Sequence, residues 1–296
     1  MIGSWEEEMA KPWVAAVANK LPWLDRVTDV ALKLTSPLVG EHAPRTLKDL
    51  LVGVPLGHPL HPAIVAVPIG AWTSTAVLDM TGEERAADLT VLLGLASGVA
   101  SAVTGAAQYV DATNDTEPRR IGALHIALNS AALSCYALSS ALRASNRRDA
   151  GKLAAMAGYG CVLAGGMVGG ELAYVLGIGV DHSAFQNAPK KWTDVLGEEE
   201  LLDGKPKRAM AKNAPVDLPR HGDLIYATGA TCTHLGGPMD KGTVDFAPCT
   251  ATCPWHGSVF DIRSGSVVHG PATAPLPSYQ VKVEEGRIFV RAMPMD

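Results

Sequence analysis

A chain of 296 residues has room for two domains. Its net charge of −5 and pI near 6.0, with no basic patch interleaved with aromatics, argue against a nucleic-acid partner. Five cysteines, an odd number, argue against a disulfide scaffold, and a mean hydropathy of +0.13 is high for a protein wholly in water.

Residues 1–57 are mixed in charge and carry Trp5, Trp13 and Trp23. The pattern predicts two short helices, Trp13–Leu21 and Leu24–Leu34, on either side of Pro22. An amphipathic stretch with Trp suits a membrane interface, and it suits equally a cap packed on a helical bundle. Four apolar segments follow, at Pro62–Met80, Leu89–Val110, Ile121–Leu142 and Leu153–Val180, each near the ~20 residues that cross a bilayer. Short polar breaks divide them, and the pairs Gly94/Gly98, Gly165/Gly169 and Gly166/Gly170 allow helices to approach closely. The expectation is a multidomain chain. An interfacial segment (1–57) is followed by an α-helical transmembrane four-helix bundle (58–182), a linker (183–195) and an all-β domain (196–294). In the last part short β-prone runs are divided by Gly, Pro and Asp, ending with Ser278–Glu284 and Arg287–Arg291 around a Glu285-Gly286 turn.

The most specific signal is Cys232-Thr233-His234, a gap of eighteen residues, and Cys253-Pro254-Trp255-His256. Thiolates and imidazoles in this pattern suit zinc. They also suit an iron–sulfur centre in which two Cys hold one iron and two His the other, since each loop lends one of each. The runs CTHLGGPM and CPWHGSVFD, with Gly270-Pro271-Ala272 as a third loop, resemble the Rieske [2Fe–2S] family over about residues 196–292. The resemblance implies a [2Fe–2S] cluster with Cys232 and Cys253 on the buried iron and His234 and His256 on the outer one. It makes Ser258 a hydrogen-bond donor to a bridging sulfide. High-potential members carry Tyr where this chain has Phe260, and a disulfide-forming pair of Cys where it has Gly237 and Trp255. The sequence therefore resembles the ferredoxin-like branch, which implies a potential in the lower to middle part of the Rieske range. Cys249 has no His three residues on and is not expected to ligate; Cys135 and Cys161 lie in apolar helices and read as core residues.

The helical part opens with Gly57-His58-Pro59-Leu60-His61-Pro62, and this His-Pro-x-His-Pro signature resembles an uncharacterised family of four-helix membrane domains over about residues 50–182. His125, with Asn129 one turn on, lies in the third apolar segment, and Glu171 in the fourth. Ionisable groups at membrane depth usually face an interior site. One reading is a b-type haem held by His58 or His61 together with His125. A quinone pocket using the same His and Glu171 is another, and helix capping a third. Together these features describe a multi-pass protein of the cell membrane carrying single electrons between a membrane redox pool, haem or quinone, and an oxidoreductase partner. Its cluster domain is expected on the cytoplasmic side. The alternative is a redox sensor or assembly subunit without turnover.

Overall fold

The computed structural model describes residues 13–40, 42–113 and 115–293, so Trp5 lies outside the described residues. The chain forms two compact units, one of Met1–Pro44 with Leu60–Leu176, the other of Arg45–Pro59 with Gly177–Asp296. Seven helices of seven residues or more are described: α1 (Trp13–Asn19), α2 (Leu24–Val39), α3 (Arg45–Val52), α4 (Leu60–Thr81), α5 (Glu84–Tyr109), α6 (Thr116–Ala144) and α7 (Arg148–Gly170). All but α3 belong to the first unit.

Helices α4, α5, α6 and α7 are long and apolar enough to cross a membrane, and at most 28% of each apolar window is buried by protein. Large side chains such as Leu89, Leu93, Leu153 and Met156 are therefore left on the outside. Leu and Met in that position suit a lipid solvent. The fourth apolar run was expected to reach Val180; its helix instead widens at Glu171–Val175 into a single wide turn and stops there. Among the two readings of the N-terminal helices, α1 and α2 are packed on the bundle. Val14, Ala15, Ala18 and Leu24 share a buried cluster with Ile121, Ala123 and Val168. Arg119 and Arg120 reach Asp29 and Asp25 of α2 at 2.6 and 2.8 Å.

The four long helices are two copies of one hairpin. Residues separated by 64 positions occupy equivalent places, as do Asp79 and Arg143. Buried Ala87, Val91, Gly94, Gly98, Ser101 and Thr104 of α5 map by this spacing onto buried Gly151, Ala155, Gly158, Val162, Gly165 and Val168 of α7. Three residues of α4 meet their own counterparts in α6, as occurs beside a twofold axis. Trp72 stacks on Tyr136 with ring centres 4.3 Å apart and planes 4° from parallel. Asp79 pairs with Arg143. His61 faces His125. Glycine makes the central layer possible: Gly94 lies against Trp72, and a Cβ on Gly158 would come within 2.9 Å of the Tyr136 ring. From His61 to Asp79 the helix rises about 27 Å, so the histidines and the ion pair mark opposite ends of the span.

The Arg143 side chain is 3% exposed, bonded to Asp79 and Asp88 and, through Nε, to Ser139 Oγ at 3.0 Å. Arg148 completes the network on Asp88 at 2.8 Å. Removing one partner strands the others in a low dielectric. Arg143→Leu is expected to destabilise the bundle by about 3–5 kcal/mol, measured by unfolding in detergent. An Asp79→Asn, Arg143→Gln pair should lose less than the two single changes together.

The second unit is antiparallel throughout. Its strands are β1 (Thr193–Gly197), β2 (Lys207–Ala211), β3 (Ala214–Leu218), β4 (Arg220–His221), β5 (Leu224–Ile225), β6 (Thr228–Gly229), β7 (Thr243–Asp245), β8 (Thr250–Thr252), β9 (Val259–Asp261), β10 (Val267–His269), β11 (Tyr279–Glu284) and β12 (Arg287–Ala292). They form sheets ordered β1-β12-β11, β2-β3-β6 and β10-β9-β8-β7, with β4 and β5 as a small ribbon. The first two sheets share one apolar core (Val216, Leu218, Ile288, Val290), while Phe260, Ile262 and Leu276 build a second beneath the cysteines. The expected run Leu224–Thr228 is two strands, β5 and β6, that pair with different partners.

Asp217 of β3, between the core residues Val216 and Leu218, is 1% exposed, and its Oδ1 has no hydrogen-bond partner among the described residues. Burial, reinforced by Asp240, pushes its pKa up to about 7. A carboxyl that holds its proton more tightly folded than unfolded makes stability fall as pH rises from about 4 to about 7. Asp217→Asn should flatten that slope and stabilise the domain above pH 7 by on the order of 2–4 kcal/mol, read from thermal unfolding at several pH values.

Candidate metal centre

Two loops of the second unit repeat one backbone design. In the loop after β6, the Cys232 amide donates to the Gly237 carbonyl at 2.8 Å and the Gly236 amide returns to Cys232 O at 2.9 Å. Between β8 and β9, the Cys253 amide donates to Ser258 O at 2.8 Å and the Gly257 amide returns to Cys253 O at 3.1 Å. Each turn needs a left-handed residue, supplied by Gly236 (φ +79°) and Gly257 (φ +72°). The consequence is that Cys232 and Cys253, each at most 3% exposed, lie side by side, with His234 and His256 beyond them. The imidazole centres are 5.0 Å apart and their planes nearly perpendicular. Two rings on one tetrahedral ion, each bonded at about 2.0–2.1 Å, also stand about 5 Å apart.

The electrostatics prepare these groups to ligate. The Cys232 thiol donates to the Cys253 sulfur, and amides from Trp255 and His256 add to that bond, so Cys253 is lowered to about 6. Cys232, which gives up its hydrogen bond to its neighbour and is buried, moves upward. Burial, then His256, lowers His234 to about 3, so its ring is neutral near pH 7, and its Nδ1 is buried with no partner among the described residues. Two sulfurs and two imidazoles fit an iron–sulfur centre of mixed ligation. Ser258 Oγ is fully buried, accepts the Ala272 amide at 2.9 Å and donates to the Cys232 sulfur. It thereby ties the third loop to the first ligand. Gly237 leaves room for Cys253, since a Cβ there would fall 2.8 Å from its sulfur. Cys249 takes no part; its thiol donates to Phe246 O at 3.3 Å.

Sequence reasoning missed the helix that closes this end of the domain. Asp49 of α3 accepts from the Gly270 amide at 2.8 Å and pairs with His269 Nδ1 at 2.7 Å, and Arg45 donates to Gly257 O at 2.8 Å. Val52 and Val54 pack on Gly270. These contacts span 212–221 positions of sequence, so no local pattern announces them. His182, just beyond the fourth long helix, donates its amide to Thr233 O at 3.1 Å, beside His234.

Of the residues singled out in the helical part, the structure joins His61 and not His58 to His125. His58 is exposed in the second unit, its ring turned to the Pro59 carbonyl. Glu171 is half-buried, with Oε1 unpartnered among the described residues, and neither histidine ring bonds to it. Asn129 donates to the His125 carbonyl at 2.8 Å.

Asp49→Ala should leave the His269 ring and the Gly270 amide without their acceptor, at a cost of about 1–3 kcal/mol. The expected result is faster amide exchange at Gly270 and across Arg45–Val52, with the strands unchanged.

A family model described as Rieske [2Fe-2S] domain matches residues 191–280, and one described as Predicted membrane protein (DUF2231) matches residues 57–182. Ferredoxin CarAc of Metapseudomonas resinovorans is 34% identical over 100 residues, which are 33% of this chain and 92% of that protein. The cytochrome b6-f complex iron-sulfur subunit of Chlorobaculum tepidum is 39% identical over 91 residues, 31% of this chain and 48% of that protein, about half its length. A solved complex of reduced oxygenase and oxidized ferredoxin in carbazole 1,9a-dioxygenase contains a chain 31% identical, covering 36% of this chain and 99% of its own, with a TM-score of 0.33.

Proposed function

The chain belongs to the Rieske [2Fe–2S] family, and from this we propose that it carries single electrons between a redox pool in the membrane and an oxidoreductase partner. The observation that supports this reading is the pair of matched loops, which gathers two buried sulfurs and two imidazoles at one end of the β domain. In this reading Cys232 and Cys253 hold one iron and His234 and His256 the other, and the cluster supplies one-electron chemistry. Everything else is done by the chain. Neutral rings in place of two thiolates lower the negative charge of the site. The Ser258 hydroxyl holds the Cys232 sulfur, and buried Phe260 contributes no second hydroxyl. The half-exposed Trp255 flanks His256, its ring centre 6.4 Å away, at the edge where a partner would approach.

On the membrane side the electron partner is a haem or quinone associated with α4–α7, four helices able to cross a bilayer. His61 and His125 are the available ligands there. We place the β domain on the cytoplasmic side, since Gly237 and Trp255 supply no disulfide between its two loops, which suits a reducing compartment.

Low-temperature EPR of the reduced full-length protein tests the cluster. A rhombic signal is expected, with a midpoint potential in the lower to middle part of the about −150 to +300 mV Rieske span. His256→Ala should abolish the signal and the bound iron. A silent protein that holds zinc instead, or a His256→Ala variant with undiminished iron and reducibility, would refute the assignment.

A further inference from the structure

We infer that His61 and His125 are the two axial ligands of a b-type haem held between the hairpins of the helical unit. The ligand site stands on the geometry of that unit alone; the haem's role as electron partner of the cluster rests on the function proposed above.

The two rings are fixed by equivalent hydrogen bonds. His61 Nδ1 bonds to the Ser101 carbonyl and His125 Nδ1 to the Gly165 carbonyl, each at 2.9 Å and each across 40 positions of sequence. A carbonyl only accepts, so each Nδ1 must carry the proton, and each neutral ring then presents a bare lone pair at Nε2. Among the described residues neither Nε2 has a hydrogen-bond partner. Two lone pairs cannot satisfy one another. Between two helices able to cross a membrane, the pair suits an electron acceptor placed between the rings. A histidine whose other nitrogen is anchored on a backbone carbonyl is the usual form of a metal-ligating imidazole.

The spacing agrees. Ring centres 6.4 Å apart match two imidazoles on opposite sides of one metal ion, for which bonds of about 2.0 Å plus roughly 1.1 Å to each ring centre give about 6 Å. Rings so placed can twist about their common axis, so the 81° between their planes is permitted.

The donor count selects the ligand. A bare zinc or copper ion takes three or four protein ligands, whereas among the described residues of the helical unit the two rings face only each other. Two opposed imidazoles leave the equatorial positions to be filled by the ligand itself, as a porphyrin does. Each ring packs on the neighbouring helix at a glycine. A Cβ on Gly105 would come within 3.0 Å of His61, and one on Gly169 within 3.1 Å of His125. These glycines are equivalent under the hairpin repeat.

The test uses the full-length protein, expressed with a haem precursor and purified in detergent. A Soret band and a pyridine haemochrome of the b type are expected. His61→Ala and His125→Ala should remove both and keep the rhombic EPR signal of the cluster, while His58→Ala keeps both. If the alanine variants fail to fold, His125→Met decides: it should retain haem with an altered Soret position and a higher haem potential. The inference is overturned by a protein with a cluster signal but no haem, by haem that survives His61→Ala and His125→Ala, by an unchanged haem potential in His125→Met, or by a quinone or zinc ion bound at these rings instead. A haem spectrum without a cluster signal would overturn the reading of the β domain and leave this one standing.

Discussion

Close approach of backbone to functional side chain, which only glycine permits, governs both units. In the bundle Gly94 and Gly158 lie flat against Trp72 and Tyr136, and Gly105 and Gly169 against His61 and His125. In the β domain Gly236 and Gly257 turn their loops through left-handed conformations, and Gly237 faces the Cys253 sulfur. A methyl group at most of these places would collide with a ring or a sulfur. The cost of glycine in a helix, up to about 1 kcal/mol each, is offset by the contacts that it admits.

How far the sequence announced this differs between the units for a physical reason. The cluster loops are local: each ligand pair lies within four residues, and the glycine that shapes each turn follows directly, so the pattern survives in one dimension. The four long helices were legible too, because lipid selects apolar composition over twenty residues at a time. The hairpin repeat was not. Trp72 answers to Tyr136, Asp79 to Arg143 and Ser101 to Gly165, pairs of different residues in the string of letters. His61 and His125 were both noticed as histidines, but His58 carried the same motif, and only the start of α4 at Leu60 separates the two. The docking of α3 on the third loop was illegible because Asp49 and His269 are 220 residues apart.

Both units also set imidazoles in a defined protonation state before any ligand arrives, by different means. In the β domain burial lowers His234 and keeps it neutral. In the bundle a backbone carbonyl fixes the position of the proton on each ring. The second device is independent of the surrounding solvent. A polar group stands behind three of these side chains: the Ser258 hydroxyl behind Cys232, the Ser101 carbonyl behind His61 and the Gly165 carbonyl behind His125.

The stacked pair at the centre of the helices has an evolutionary corollary. A lone hairpin that dimerised about this axis would set every axial residue against itself, which an aromatic or an imidazole tolerates and a charge does not. Two aspartates, or two arginines, at the position of Asp79 and Arg143 would repel inside a low-dielectric span. Joined in one polypeptide the halves are free to differ, and at one end they do, as an acid facing a base. At the other end both halves carry a histidine.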